Sequence, residues 1–440
     1  MGLLNSIEKL GFELEANFRR ANADQRALPG IAEAALVQFS DLDGVEIATL
    51  ADFLQETRLP QQARNPFSDL PLTLFRSRDF YIELLVWSNA TTAIHQHGFS
   101  GAFRVVRGSS IHTRYAFSTQ RRISDDCLLG DVTAQGSEAL SVGSVRRIAP
   151  GADGLIHSLY HLDNPSLSLI IRTSGHPAFG PQYSYFPPSL ALYRKALESD
   201  EMVLMFSRLL AISHSTNRAL FQSIWLEKIA AMEFPRVAWM YLRHHALLEN
   251  DERTAFIECV ETKHGELAGH LYEAVQRYEN QRRLIGLREQ IHDAELRFFV
   301  ALLLNVPDRK DLLGMVAERL PDRDPAECCA DWLTHLSVDE QSALHRMKEV
   351  AKMMESSAKD AIAFSRQLRR ALPVGTDVAG AREIFRRFID KNAGVAPERS
   401  IDSLPEGVSD ALQTLDQIPQ LSGLRSRSSG SSTISKESLR

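Results

Sequence analysis

The chain is poor in cysteine. Its 440 residues hold four, Cys127, Cys259, Cys328 and Cys329, and none forms a C-x-x-C pair. That excludes a disulfide framework and the common thiolate zinc modules. Free, buried thiols in a reducing cytoplasm are the expectation. Long apolar runs are lacking as well. The most apolar stretch, Phe298 to Val306, is far shorter than the roughly 20 residues a membrane helix needs. Met1 to Arg20 has no apolar centre of the signal-peptide kind. No membrane role is expected. Charge of one sign is not in excess: the net value is −6, which gives no general attraction to nucleic acid or anionic lipid. No repeat of fixed period is present.

What is there is an apolar share of 44%, enough for real cores, in a length that suggests two or three domains. The fold class expected is α+β, in four stretches. Residues 1–58 read as a helical lead-in: Leu3, Leu4, Ile7, Leu10 and Leu14 recur at helical spacing, and Ala34 to Leu54 carries a second amphipathic pattern. Pro29-Gly30 and Asp41 to Gly44 read as breaks. Residues 59–190 are short, β-branched and aromatic segments between Gly, Pro and Asn, the texture of a sandwich or barrel. Strands are expected at Leu72 to Phe75, Phe80 to Trp87, Thr92 to His97, Ala102 to Arg107, Ser110 to Phe117, Gly143 to Ile148, Ile156 to His161 and Leu167 to Arg172. Residues 191–395 read as an all-α domain. Pro235 opens one helix, Asp324-Pro325 another, and Ser337 to Glu340 has capping-box form. Residues 396–440 read as a mostly disordered tail that ends in a Ser-rich low-complexity run.

One stretch carries chemistry: His95-Gln96-His97, followed by Gly98-Phe99-Ser100-Gly101. On a strand, side chains alternate, so His95 and His97 share a face and can offer two imidazoles to one metal ion. A third ligand must come from elsewhere, and His112, His157, His161 and His176 are the neighbours in sequence. His157 heads a late strand, which in a barrel can face an early one. His161 shares that face but sits about 13 Å farther along at roughly 3.3 Å per residue. The two therefore cannot ligate one ion from a straight strand.

At these residues the chain resembles the cupin superfamily, over about residues 60 to 190. The first cupin motif, H-x-H and then a strand ending in Gly, is matched by His95-Gln96-His97 and Arg104-Val105-Val106-Arg107-Gly108. The second, G-x-x-H-x-x-x-N, is matched by Gly154-Leu155-Ile156-His157, with His161 in the Asn place. The resemblance implies a jelly-roll β-barrel with His95, His97 and His157 as metal ligands. The motif's Glu is missing, with Gly101 and Ala102 in its place. A three-histidine cupin is similar to the cysteine dioxygenase (thiol dioxygenase) family, and Arg64-Asn65, Leu84 to Trp87, Ile156 to Leu159 and Ser168-Leu169 carry that likeness. It implies Fe(II), O₂ as co-substrate, a small thiol or an amino-acid-like or peptide-borne acidic substrate, and Arg64 as its carboxylate grip. The family's outer histidine and tyrosine fall on Ile170 and Arg172, and its crosslinking cysteine on Ala102. The metal set carries over, whereas the thiol-specific surroundings do not.

Arg172 and Tyr115, both on expected strands, complete the candidate catalytic side chains. Three neutral imidazoles leave open metal positions and an uncompensated dication suited to an anion and O₂. They would equally hold Zn, Ni, Mn or Cu. A second class fits the same features: a ligand-sensing or scaffolding cupin whose helical domain contacts a protein partner or a second copy of the chain.

Overall fold

The computed structural model describes residues 2–55, 59–62, 67–88, 92–151, 154–175, 177–291, 293–338, 366–391 and 408–424. The chain is α+β and divides into two compact units, Met1–Arg282 and Arg283–Arg440. No described helix is long and apolar enough to cross a membrane.

The first unit opens with α1 (Leu3–Arg20), α2 (Leu28–Gln38) and α3 (Ile47–Gln55). Leu4, Ile7, Leu10, Leu14 and Phe18 give α1 its buried stripe, at the helical spacing the sequence shows. Pro29 does not break the chain. It sits in the first turn of α2, where a missing N–H costs nothing and its fixed φ suits a helix. The break at Asp41 to Gly44 is real, with Gly44 at φ +73°.

Ten strands follow among the described residues: β1 (Leu70–Arg76), β2 (Phe80–Trp87), β3 (Gly101–Arg107), β4 (Ser110–Ser124), β5 (Cys127–Leu140), β6 (Val145–Ile148), β7 (Ile156–His161), β8 (Ser166–Thr173), β9 (Ser184–Phe186) and β10 (Leu190–Leu192). They form two five-stranded antiparallel sheets, ordered β1-β2-β8-β3-β6 and β7-β4-β5-β10-β9. The first sheet turns Leu167, Leu169 and Ile171 outward under the three helices, into one core with Leu28, Ala32 and Leu36. Its other face meets the second sheet, where Leu85, Phe103 and Ile170 pack with Leu140 and Leu159. The functional side chains lie in this space between the sheets.

Thr92 to His97 is not a ladder strand, as His95 makes only isolated bridges, to His157 and Ser184. β5 carries no sequence expectation. Its alternation is blurred because every position from Asp131 to Ala139 is exposed or only half-buried, so neither face there carries a buried apolar stripe.

Helices α4 (Arg194–Ser199), α5 (Glu201–Thr216), α6 (Arg218–Ser223), α7 (Phe234–His244), α8 (Asn250–His264) and α9 (Leu267–Gln290) come next. Their core, with Trp225, Phe221 and Phe256 at its centre, is continuous with Cys127, Leu129, Leu190 and Leu192 of β5 and β10. The change from strand to helix near residue 190 is therefore not a boundary between compact units. Pro235 stands in the first turn of α7.

The second unit holds α10 (Ala294–Asn305), α11 (Arg309–Arg319), α12 (Pro325–Val338), α13 (Val378–Lys391) and α14 (Val408–Asp416). Asp324 caps α12 by accepting from Glu327 N–H at 2.8 Å. Arg386 of α13 pairs with Asp324 and Glu327 of α12 at 3.0 and 2.6 Å. Ser337 lies in the last turn of α12, and Asp339 and Glu340 of the expected capping box lie outside the described residues. Within 396–440, α14 and the 3₁₀ segment Pro419–Leu424 are folded and bury Leu415, Leu421 and Leu424. Apolar residues there outweigh the polar composition that reads as disorder.

Candidate metal centre

His95 and His97 lie on extended backbone between β2 and β3. The chain is held there by single bonds instead of a ladder. His95 N–H donates to His157 O at 2.9 Å, His157 N–H donates back to His95 O at 3.0 Å, and Gly151 N–H donates to His97 O at 3.1 Å. Gln96 turns the opposite way, donating to Pro181 O at 2.6 Å and accepting from the Tyr185 hydroxyl. Alternation therefore still puts His95 and His97 on one face. His157, on β7, meets them.

The three rings offer nitrogens that all lie within 4.8 Å of one another. Nε2 of His157 stands 3.3 Å from Nε2 of His97. Two nitrogens bound to one ion at about 2.1 Å sit roughly 3 to 3.5 Å apart, so the spacing suits coordination. His95 donates Nδ1–H to Ala93 O at 2.8 Å, which leaves its Nε2 as a lone pair. That atom is buried without a hydrogen-bond partner. A buried acceptor with no donor is costly on its own and is satisfied by a cation. All three rings are buried. Burial, against the bond to Ala93, pulls His95 down to about 4. Burial and the neighbouring imidazoles hold His97 and His157 well below the usual histidine range. Neutral imidazole is the ligating form.

The walls are apolar. Phe67 packs edge-on to His95 at 5.9 Å, Phe99 to His97 at 4.9 Å, and Phe103 lies 6.4 Å from His157. Gly101 explains why no carboxylate joins the set. A Cβ there would lie 2.0 Å from Ile171 O, so β3 and β8 exclude any side chain at this position. Ala102 points the other way, into the core under the helices.

Behind His157 runs a polar chain. His112 Nε2 is 2.9 Å from His157 Nδ1, and His112 Nδ1 is 2.9 Å from Glu138 Oε1. Arg146 Nε donates to the same carboxylate at 2.8 Å. Burial pushes the Glu138 carboxyl up, but the bonds from Arg146 and His112 outweigh it and hold it at about 2. His112 is thus a neighbour of a cluster member and not a member itself. The period-two pattern of β4 places His112 on the inner face, but Glu138 on the unread strand β5 left no signal.

The other candidates are placed differently. Arg64 and His176 lie outside the described residues. His161 Nδ1 lies between Ser110 and Ser166 at 3.0 and 2.8 Å, and its ring stacks on Trp87 at 4.8 Å. Arg172 faces the space between the sheets, but Glu83 holds it at 3.1 Å, and its guanidinium lies over the rings of Tyr81 and Phe99. Phe99, under its guanidinium, packs edge-on to His97. Tyr115 pairs with Ile156 on the face of the second sheet opposite His157, and its hydroxyl stands 3.5 Å from Ser158 Oγ. The same alternation that turns His157 inward turns Tyr115 away. Arg104 also points outward, to Asp43 and the end of α2, and Arg114 is exposed.

No protein-family model matches the sequence, and no curated protein matches it. Among solved structures, the chain is similar to a sugar phosphate isomerase of the cupin superfamily from Silicibacter pomeroyi, with 16% identity over 26% of this chain and 62% of that one, at a TM-score of 0.19. It thus spans less than two thirds of the isomerase. The DMSP lyase DddQ from Ruegeria pomeroyi is 13% identical over 41% of this chain and 96% of that one, at a TM-score of 0.22. A hydroquinone 1,2-dioxygenase from Sphingomonas is 12% identical over 26% and 70%, at 0.21.

Proposed function

We propose that the first unit is a cupin-type jelly roll whose residues His95, His97 and His157 hold a ferrous ion, and that the protein is an oxygenase for a small acidic substrate. The observation that carries this reading is the convergence of three buried, neutral imidazoles, one of them with an unpartnered Nε2, on one point between two sheets. A ferrous ion there supplies a binding site for an anion and O₂ together, without a charged protein ligand to compete. The chain's own contribution is to hold the three lone pairs, exclude a fourth side chain at Gly101, and keep water off with Phe67, Phe99 and Phe103. A thiol or amino-acid-like substrate, free or peptide-borne, is the class proposed.

A second reading, a ligand-sensing protein without turnover, draws on Arg172. Its charge is already met by Glu83, which weakens it as a substrate anchor. In that reading the helices beyond β10 serve a partner protein or a second copy. The test is metal analysis after anaerobic Fe(II) loading, then O₂ uptake with cysteine, 3-mercaptopropionate and an amino-acid panel. Stoichiometric iron that is lost in His157→Ala, with substrate-dependent O₂ uptake, is expected. Iron without uptake selects the sensor, and no stoichiometric metal in the wild type overturns the site.

A further inference from the structure

The rings of His95 and His157 are both held from behind, by different devices. His95 is fixed by a backbone carbonyl, that of Ala93. His157 is fixed by a chain of side chains, His112, Glu138 and Arg146. The second device has a direction that can be read from its ends. Arg146 can only donate, and Glu138, paired with it through both oxygens, can only accept. Nδ1 of His112, 2.9 Å from Glu138 Oε1, must therefore be the donor. With the donor of His112 assigned to Nδ1, its Nε2 faces His157 Nδ1 at 2.9 Å as the acceptor. His157 must donate from Nδ1, and its own lone pair falls on Nε2, the atom facing His97.

We infer that His112 and Glu138 are positioning residues that select the tautomer of His157, presenting Nε2 to the metal. This rests on the metal reading above but does not depend on metal being bound, since the proton chain is complete in the metal-free protein. Metal-binding histidines are generally oriented by such partners, and removing one costs about 10- to 100-fold in affinity. What is particular here is that the partner is a second imidazole, so direction is transmitted over two rings from an ion pair at the edge of β5 and β6.

The full chain with ¹⁵N-labelled histidine, metal-free, reports the tautomer directly through two-bond nitrogen–proton couplings, with the His157 resonances assigned by their loss in His157→Gln. Protonation at Nδ1 of His157 is expected. In His112→Leu the Nδ1-protonated form should lose its dominance, and Co(II) affinity by chelator competition should fall about 10- to 100-fold. His112→Gln, whose amide oxygen can take the place of Nε2 as acceptor, should restore most of that affinity. Glu138→Leu, which removes the acceptor for His112 Nδ1, should weaken Co(II) binding in the same direction. Protonation at Nε2 of wild-type His157, or Co(II) affinity in either His112→Leu or Glu138→Leu within about twofold of wild type, overturns the assignment. Wild-type protein with the expected tautomer and no metal binding rejects the metal reading while leaving the proton chain standing.

Discussion

At the scale of single residues, the candidate centre depends on one glycine as much as on its histidines. Gly101 opens β3 beside β8 at a point where the backbones nearly touch. An added methyl would meet Ile171 O at 2.0 Å and Arg172 Cα at 2.9 Å. Both are backbone atoms of a central strand, so neither can step aside as a side-chain tip would. Gly101→Ala should destabilise the protein by about 1 to 3 kcal/mol, the usual cost of overpacking, or more. It should also loosen the segment that carries His95 and His97, because Ser100 O accepts from Thr173 N–H on the same strand pair. Urea denaturation of the two proteins measures the first effect, and Co(II) affinity measures the second. An unchanged urea midpoint would show that β3 and β8 separate more easily than their packing implies. The same residue explains a gap in the motif. At Gly101, one of the two positions that stand where the motif has its carboxylate, a Cβ has no room.

At the scale of elements, Arg104 is a buried polar tie between the N-terminal helices and the first sheet, beside Arg107, which donates to Val45 O at 3.0 Å, and Arg147, which pairs with Glu33. Arg104 points away from the metal site and donates from Nε to Asp43 Oδ1 at 2.9 Å, from Nη1 to Leu36 O at 3.1 Å and from Nη1 to Gly143 O at 3.3 Å. It ties the last turn of α2, the turn before α3 and the turn before β6 to β3. Arg104→Ala leaves a mostly buried Asp43 without its ion-pair partner and the Leu36 carbonyl with only the Phe39 N–H as donor, which should cost about 3 kcal/mol. Lysine should recover little, since it lacks the planar fork. Combined with Asp43→Ala, the loss should be well short of the sum of the two, as for any pair in one network. An additive double mutant would mean the pair contributes nothing. This outward aim illustrates what sequence reading can and cannot reach. Phe80 to Trp87 and Ile156 to His161 are legible because their ends are turns and their interiors apolar on one or both faces. The direction of Arg104 is not, since a strand buried on both faces shows no polar alternation to orient it. His95 and His97 are legible through spacing, and His157 through the resemblance of Gly154 to His157 to the second cupin motif. Their orienting partner Glu138 is not, because β5 from Asp131 to Ala139 is exposed or half-buried at every position and carries no apolar stripe.

At the scale of the whole molecule, the first unit gathers buried histidines that must stay neutral to fold. His95 and His244 are both held down to about 4, His95 by burial, His244 by burial and the charge of Arg243. His97 and His157 are held well below the usual histidine range by burial and by the neighbouring imidazoles. Each ring binds its proton less readily folded than unfolded. Between the unfolded value near 6.5 and the folded values near 4, the unfolded chain therefore carries more protons, and stability rises with pH. The contribution is complete above pH 6.5 and is lost as the pH falls. His95 alone gives a slope of about 1.4 kcal/mol per pH unit inside that window. The lowered carboxylate, Glu138 at about 2, acts only below about pH 4.5, so the range from 6.5 to 5 isolates the histidines. The urea midpoint of metal-free protein should therefore fall between pH 7 and pH 5, and by less in a His244→Gln variant, which lacks one of the lowered rings. Zn(II) extends the argument. It binds the same lone pairs that protons would occupy, and because the folded rings stay neutral until the pH nears 4, it should raise the midpoint at pH 7 and still raise it at pH 5, losing the effect only as the pH falls toward 4 and below. A midpoint flat from pH 7 to 5 without metal would mean these rings are solvated and ionised in the fold. That result would remove the dry, neutral donor set on which the metal centre depends.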